Sequence, residues 1–322
     1  MKARLAVAAL LLLATVLPAA ALEQATLRLN WLIYGFHAPF YLGIEKGYYQ
    51  AEGIDLEIGE GKGSASAVQV VGAKGDTFGL SDGASIINGI AKGARIKAIM
   101  GIMNTTPFAI IAREDSGIRT IKDIEGKTIA ATAGEAGLTI MPALVKANKL
   151  DETRLNFLRV DGATKLVATL EKKADGLLGG SENQALILEQ KGLKLVVLNY
   201  ADYGVNTMGL AIHVHQDTLK DNPKLVEGFV RATQKAFMAA EQDPAAAIAA
   251  VIKVKPDMDK ELAAKQLAAG FRLVRSRAAP QAPIGEMQRS DWVMTLDLMK
   301  SYQELKTDLP VEAFYTNALL PK

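Results

Sequence analysis

Trp31, Tyr34, Phe36 and His37 crowd into seven residues at the end of an apolar run, Leu27 to Trp31. The next apolar run, Ile54 to Ile58, ends in Gly59-Glu60-Gly61-Lys62-Gly63-Ser64. Flat rings hold flat ligands by stacking. Glycines ahead of a helix leave backbone N–H groups open to a polar or anionic group, and a serine there can equally cap the helix. The chemistry on offer is capture of a small molecule by stacking and hydrogen bonding.

Other strand-end loops share this composition of small, hydroxylated, amide and acidic residues. The early part of the chain offers Asn30, Trp31, Tyr34, His37, Ser64, Ser81 and Asp82. Asn104 and Thr105 follow a buried apolar run. Later loops add Thr132, Glu135, Ser181, Glu182 with its neighbour Asn183, Tyr200 and Tyr203. Trp31 and Tyr34 are expected to line a pocket, and Phe40 to belong to the core. Asp82, Glu135 and Glu182 lie on these loops and no arginine does. A carboxylate beside a sulfonate or nitrate is repulsive, whereas N–H donors on a neutral or cationic ligand gain charge-assisted hydrogen bonds. The expected ligand is therefore an amino-substituted heterocycle, with a small anion as the alternative.

Several chemistries have no residues to run them. Zero cysteines removes disulfides, thiol catalysis and cysteine-based zinc sites. The three histidines are His37, His213 and His215. The last two alternate in an apolar run and read as a strand with solvent-facing imidazoles; a metal pair there would lack a third ligand. Gly134-Glu135-Ala136-Gly137 lacks the spacing of a dinucleotide fingerprint, and no phosphate-binding G-x-x-x-x-G-K-[ST] loop occurs. No cofactor is expected.

These residues need elements to hold them. Apolar runs alternate with helical patterns along the chain, the signature of sheets flanked by helices. Strands are expected at Leu27–Trp31, Ile54–Ile58, Thr77–Leu80, Ile96–Met103 and Phe108–Ala112. Further strands are expected at Thr128–Ala131, Asn156–Val160, Gly176–Leu178, Leu195–Leu198 and Met208–Val214. Helical spacing dominates from Leu219 to Leu305. The natural division is two lobes crossed twice by the chain, 22–110 plus 209–322 and 111–208, which suits the length. Ligands of such α/β sheets sit outside the carboxyl ends of the strands, where the candidate loops fall.

Particular stretches carry a family likeness: Asn30-Trp31, Glu45-Lys46-Gly47-Tyr48-Tyr49, Glu52-Gly53-Ile54-Asp55-Leu56 and Gly63-Ser64. It continues through Ile121-Lys122-Asp123-Ile124-Glu125-Gly126-Lys127-Thr128-Ile129 and Lys173-Ala174-Asp175-Gly176. In these the chain resembles the NMT1/THI5-like (SsuA-type) substrate-binding proteins of ABC importers. The resemblance implies a type II periplasmic-binding-protein fold, α/β and two-lobed, each lobe a mostly parallel sheet flanked by helices. It implies a non-enzymatic role, with a small-molecule ligand and an ABC permease as partners. Members bind thiamine-precursor pyrimidines, riboflavin-type compounds, alkanesulfonates, taurine or nitrate. A related pyrimidine synthase uses an iron-binding cysteine cluster, which this cysteine-free chain cannot reproduce.

The N-terminus bears on location. Met1-Lys2-Ala3-Arg4, an apolar run from Leu5 to Leu17 and Pro18-Ala19-Ala20-Ala21 fit a secretory signal peptide, residues 1–21, cleaved near Ala21. The run is shorter than the ~20 residues of a membrane span. Removing it leaves 35 basic and 35 acidic residues. A neutral mature chain is poorly suited to nucleic acid. The expected mature form is periplasmic and not membrane-embedded.

Overall fold

A computed structural model describes residues 21–321; the expected leader, residues 1–21, lies outside the described residues except for its last residue. Ten strands form two five-stranded sheets. The first contains β1 (Glu23–Arg28), β2 (Ile54–Gly59), β3 (Phe78–Asp82), β4 (Ile96–Gly101) and β10 (Leu210–His215), in the order β2-β1-β3-β10-β4. The second contains β5 (Phe108–Arg113), β6 (Thr128–Ala131), β7 (Asn156–Arg159), β8 (Gly176–Gly180) and β9 (Leu195–Asn199), in the order β7-β6-β8-β5-β9. In each sheet one strand, β10 or β5, runs antiparallel to both its neighbours, and the other four point one way.

The chain passes between sheets twice, at 102–107 and 200–209. Because β5 pairs with β8 and β9, it belongs wholly to the second sheet, and the first crossing precedes the expected boundary at 110/111. Both crossings lie at the carboxyl edges of the parallel strands: Phe108 pairs with Gly180 and Leu210 with Asp82. The loops that carry candidate residues lie at or near these carboxyl edges.

Local sequence sets the element ends. Pro39 falls in the first turn of the helix Ala38–Glu45, and Gly47, at φ 68°, takes the left-handed turn that follows it. β1 starts at Glu23 rather than Leu27, because its register against Ile54–Gly59 extends the ladder over a polar, exposed start. The helix Ser64–Gly72 opens on the serine itself, with Gly63 at its N-cap, so Ser64 sits in the first turn and is not the cap. The C-terminal helical region divides at Pro223 and Pro244, each opening a new helix.

The core has three parts. One fills the first lobe around Phe36, Phe40, Phe78, Phe229 and Phe237, with Phe78 and Phe229 stacked at 3.8 Å. A small one backs the outer face of the second sheet around Ile111, Leu177 and Leu188. The third spans both lobes, joining Ile87 and Ile96 to Ile110, Ile140, Leu178 and Trp292. The helix Arg289–Gln303 packs against Ala136–Ala147 of the second lobe, so the C-terminal segment straps the two together.

The solvent-facing reading of His213 and His215 is corrected. β10 is a central strand with both neighbours in place, and both histidines are buried. Burial lowers the pKa of His213 to about 3, and its Nε2 lies 2.9 Å from Ser81 Oγ. Gly79 makes room for that ring: a Cβ there would stand 2.4 Å from it. His215 Nδ1 accepts from the Asp217 N–H and caps the helix Gln216–Asp221.

Candidate functional site

The lobes close over a cavity of about 50 Å³. From the first lobe Asn30, Trp31, Tyr34 and Ser64 line it; from the second, Glu135, Glu182, Asn183, Gln184 and the glycines 137, 179 and 180. Tyr34 and Glu182 meet across it: the phenol donates to Glu182 Oε1 at 3.1 Å. Glu182 Oε2 is buried and has no partner. Gly180 permits this pose, since a Cβ there would lie 2.3 Å from Oε2. Burial pushes the Glu182 carboxyl up to about 7, against the lowering effect of its hydrogen bonds. Burial and the facing carboxylate raise the Tyr34 phenol well above its usual range, so it stays a donor.

His37 stands behind this wall. Its Nε2 is 3.0 Å from Asn30 Oδ1, and its Nδ1 is buried without a partner. Burial lowers its pKa to about 3, so the ring is neutral. Only a proton on Nε2 makes that contact a hydrogen bond, which leaves the Asn30 amide NH₂ for the cavity. The site then offers an acid at Glu182 and a donor at Asn30.

Glu135 is not a second free acid. Lys165, fully buried on the helix Gly162–Leu170, donates to its Oε2 and to the Leu178 carbonyl. Burial drives both members towards neutrality and their mutual attraction opposes it. Wherever the shared proton rests, the pair adds no net charge. Thr132 N–H donates to Glu135 Oε1 at 2.7 Å.

Asp82 leaves the acid set too. It caps the helix Gly83–Ala91, accepting from Ser85 N–H, and does not line the cavity. The Asp82 N–H donates to Ser64 Oγ and Ser81 Oγ donates to the Ser64 carbonyl, so both hold Ser64 from behind. Asn104 is spent on the Val274 and Glu286 carbonyls, and the backbone of Asn104 and Thr105 on Leu273. Ser181 Oγ donates to the Pro107 carbonyl. Tyr200 packs into the shared core with its hydroxyl towards the Gly137 carbonyl, and Tyr203 packs beside that core. The expected trio of cleft acids thus reduces to one uncompensated carboxyl, Glu182.

Trp31 lines both the 50 Å³ cavity and an open groove of about 740 Å³. Its ring lies against Gly162, where a Cβ would stand 2.7 Å away, and Lys165 Nζ is 4.9 Å from its centroid. Thr132 also lines the groove. Lys165, Gln184 and Gln266 were not singled out in the sequence. Gln266 accepts from Gly35 N–H and donates to Asn183 Oδ1, bridging the lobes. Its signal was a lone amide between Ala263 and Leu267 on an apolar helix face.

Residues 35–247 match the family model described as NMT1/THI5 like. The chain belongs to the NMT1/THI5-like family. It is 24% identical to the riboflavin-binding protein RibY of Chloroflexus aurantiacus over 93% of this chain and 87% of that protein. It is 25% identical to a 4-amino-5-hydroxymethyl-2-methylpyrimidine phosphate synthase of Legionella pneumophila, over 93% of each. Its fold matches the alkanesulfonate-binding protein SsuA of Xanthomonas axonopodis pv. citri, solved bound to MOPS, at a TM-score of 0.72. That match has 14% identity and covers 92% of this chain and 99% of that one. The two-sheet architecture is thus the periplasmic-binding-protein fold of SsuA type. Among the described residues no helix is long and apolar enough to cross a membrane, and no group of three His, Asp or Glu side chains is placed to hold a metal.

Proposed function

We propose that this protein is the periplasmic substrate-binding component of an ABC importer, exported by its N-terminal leader, and that it captures a small nitrogen heterocycle of the aminopyrimidine type. The observation that carries the reading is Glu182, a buried carboxyl lining the cavity, with one oxygen on Tyr34 and the other without a partner. An aminopyrimidine edge places an N–H donor beside a ring nitrogen. A carboxyl shares one proton with such an edge, either as acid on a neutral ring or as carboxylate on a protonated ring. Tyr34 and Trp31 supply flat faces, and Asn30 supplies a donor. Two sequence relatives are named for flat nitrogen heterocycles, riboflavin and a substituted pyrimidine, which agrees with this choice.

The closed cavity is below the ~300 Å³ at which pockets for drug-sized ligands begin. Capture therefore involves the lobes parting, or the Trp31 ring moving, followed by reclosure around the ligand. We read the chain as a carrier rather than an enzyme. It has no cysteine, His37 and His213 are buried and neutral, and the one hydroxyl at hydrogen-bond distance from His213 Nε2, Ser81 Oγ, donates to the Ser64 carbonyl and does not line the cavity. An alkanesulfonate is the alternative ligand, and Glu182 opposes it. A thermal-shift panel of an aminopyrimidine, riboflavin and an alkanesulfonate tests the choice. Stabilisation by the aminopyrimidine supports it; stabilisation by the sulfonate alone refutes it.

A further inference from the structure

Two neighbouring residues of the first lobe grip two neighbouring residues of the second. Tyr34 reaches Glu182 directly, and Gly35 reaches Asn183 through Gln266. Gln266 is buried on the helix Lys260–Phe271, which lies hard against residues 35–37. A Cβ on Gly35 would stand 2.0 Å from the Ala263 carbonyl oxygen, and one on Gly270 would stand 2.1 Å from the Phe36 ring. The hydrogen-bond roles along this path are set from one end. The Gly35 N–H can only donate, so the Gln266 atom 2.9 Å from it is Oε1. The other end of that amide, Nε2, can only donate, so the Asn183 atom 2.8 Å from it is Oδ1. Asn183 lines the cavity, and its NH₂ is left without a partner among the described residues. Gln184, also on the cavity wall, obeys the same rule: its Oε1 accepts from the Gly180 N–H at 2.6 Å, which leaves its NH₂.

We propose that Gln266 is a positioning residue for ligand choice: by holding Asn183 Oδ1 it makes the Asn183 NH₂ a donor to the ligand. The site then selects a ring with a further hydrogen-bond acceptor, besides the edge taken by Glu182. This rests on the heterocycle reading above and deepens it. An untethered asparagine can turn over to offer oxygen or nitrogen alike, and so discriminates little. Gln266 belongs to the first lobe and Asn183 to the second, so the amide is fixed when the lobes are together, and selection coincides with closure.

The test is calorimetric titration with 4-aminopyrimidine and 2-aminopyridine. Both carry an amino group beside a ring nitrogen, and only the first has a second ring nitrogen to accept. Wild type should prefer 4-aminopyrimidine by about tenfold, the size of one buried hydrogen bond left unmade. Asn183→Ala and Gln266→Met should each bring that preference close to one. The double variant should fall no lower, because Gln266 acts through Asn183 and the two effects coincide rather than add. Loss of the inter-lobe bond weakens both probes alike, and the ratio of their affinities removes that common factor, which a merely structural role would leave unmoved. Gln266→Met also takes the acceptor from the Gly35 N–H. Should that variant not fold, Asn183→Asp carries the test: it keeps an acceptor for Gln266 and has only oxygen to offer, so the preference should drop below one. Equal wild-type affinities, or a preference intact in Gln266→Met or in Asn183→Asp, would overturn the proposal and leave the ring assignment standing. Failure of both probes to bind would sink the ring reading and this one with it.

Discussion

Tyr34 and Glu182 lie on different lobes, yet the Tyr34 hydroxyl donates to Glu182 Oε1 at 3.1 Å across the cleft. The bond ties the lobes together and leaves the second carboxyl oxygen buried without a partner. That position carries a stability consequence with a definite sign. The folded-state pKa of Glu182 is raised to about 7 from an ordinary 4.5. Its burial is therefore harmless below pH ~4.5, where folded and unfolded forms are both protonated, and costs stability as pH rises through about 7. Glu182→Gln removes that cost. The variant should gain on wild type between pH 5 and pH 8, by up to about 3 kcal/mol in the unliganded protein. Urea midpoints at the two pH values measure it, and a gain equal at both would remove the titration from Glu182.

The Glu135–Lys165 pair predicts the reverse pattern on substitution. Lys165→Met leaves Glu135 buried beside an apolar chain and should destabilise by about 3–5 kcal/mol. Glu135→Gln/Lys165→Met removes both charges together and should recover most of that loss. A double variant as unstable as the single would mean that Lys165 contributes by packing alone.

Trp31 lines both cavities and is only half-buried, so its role in binding can be separated from its role in folding. Trp31→Ala should weaken an aminopyrimidine by about ten- to a hundredfold, the range for loss of one base–aromatic stack. The melting temperature of the free protein should stay near wild type, and Trp31→Phe should restore most of the affinity. Unchanged affinity in Trp31→Ala would take the indole out of the site.

Gly63 of the first lobe and Gly134 of the second lie against each other. A Cβ on Gly63, at φ 122°, would stand 2.5 Å from the Gly134 carbonyl oxygen. Gly63→Ala should hold the lobes apart and weaken ligand binding about tenfold or more, beyond the ~1 kcal/mol backbone strain of a positive φ. Gly93→Ala is the control, because Gly93 has φ 95° and open space around it. It should share the strain and keep the affinity. Equal effects of the two substitutions on binding would dismiss the contact.

Much of this architecture was legible in the sequence because the signals were local. Apolar runs bounded by glycines marked the strands, Pro39 and Gly47 bounded the helix Ala38–Glu45, and the stretches from Asn30 to Gly176 carried the family likeness. The site was legible as a set of loops and less so as a set of contacts. Asp82, Glu135 and Glu182 look alike in sequence, but only three dimensions show that the first caps a helix away from the cavity, that Lys165 neutralises the second, and that the third lines the cavity with one oxygen unpartnered. Lys165 was hidden by its setting, a lysine on a helix thirty residues from its partner. The histidines misled because alternation in a central strand resembles alternation in an edge strand until the neighbouring strands are placed.

The most direct test of the central claim is proton counting during binding. Titration of an aminopyrimidine at pH 8, in two buffers of different ionisation enthalpy, reads the protons taken up. Glu182, with its pKa near 7, is then largely deprotonated in the free protein, and the shared proton must come from solvent. The account predicts uptake close to one proton, affinity that weakens as pH rises above about 7, and loss of both effects in Glu182→Gln. Tight binding with no proton uptake, identical in wild type and Glu182→Gln, would contradict it.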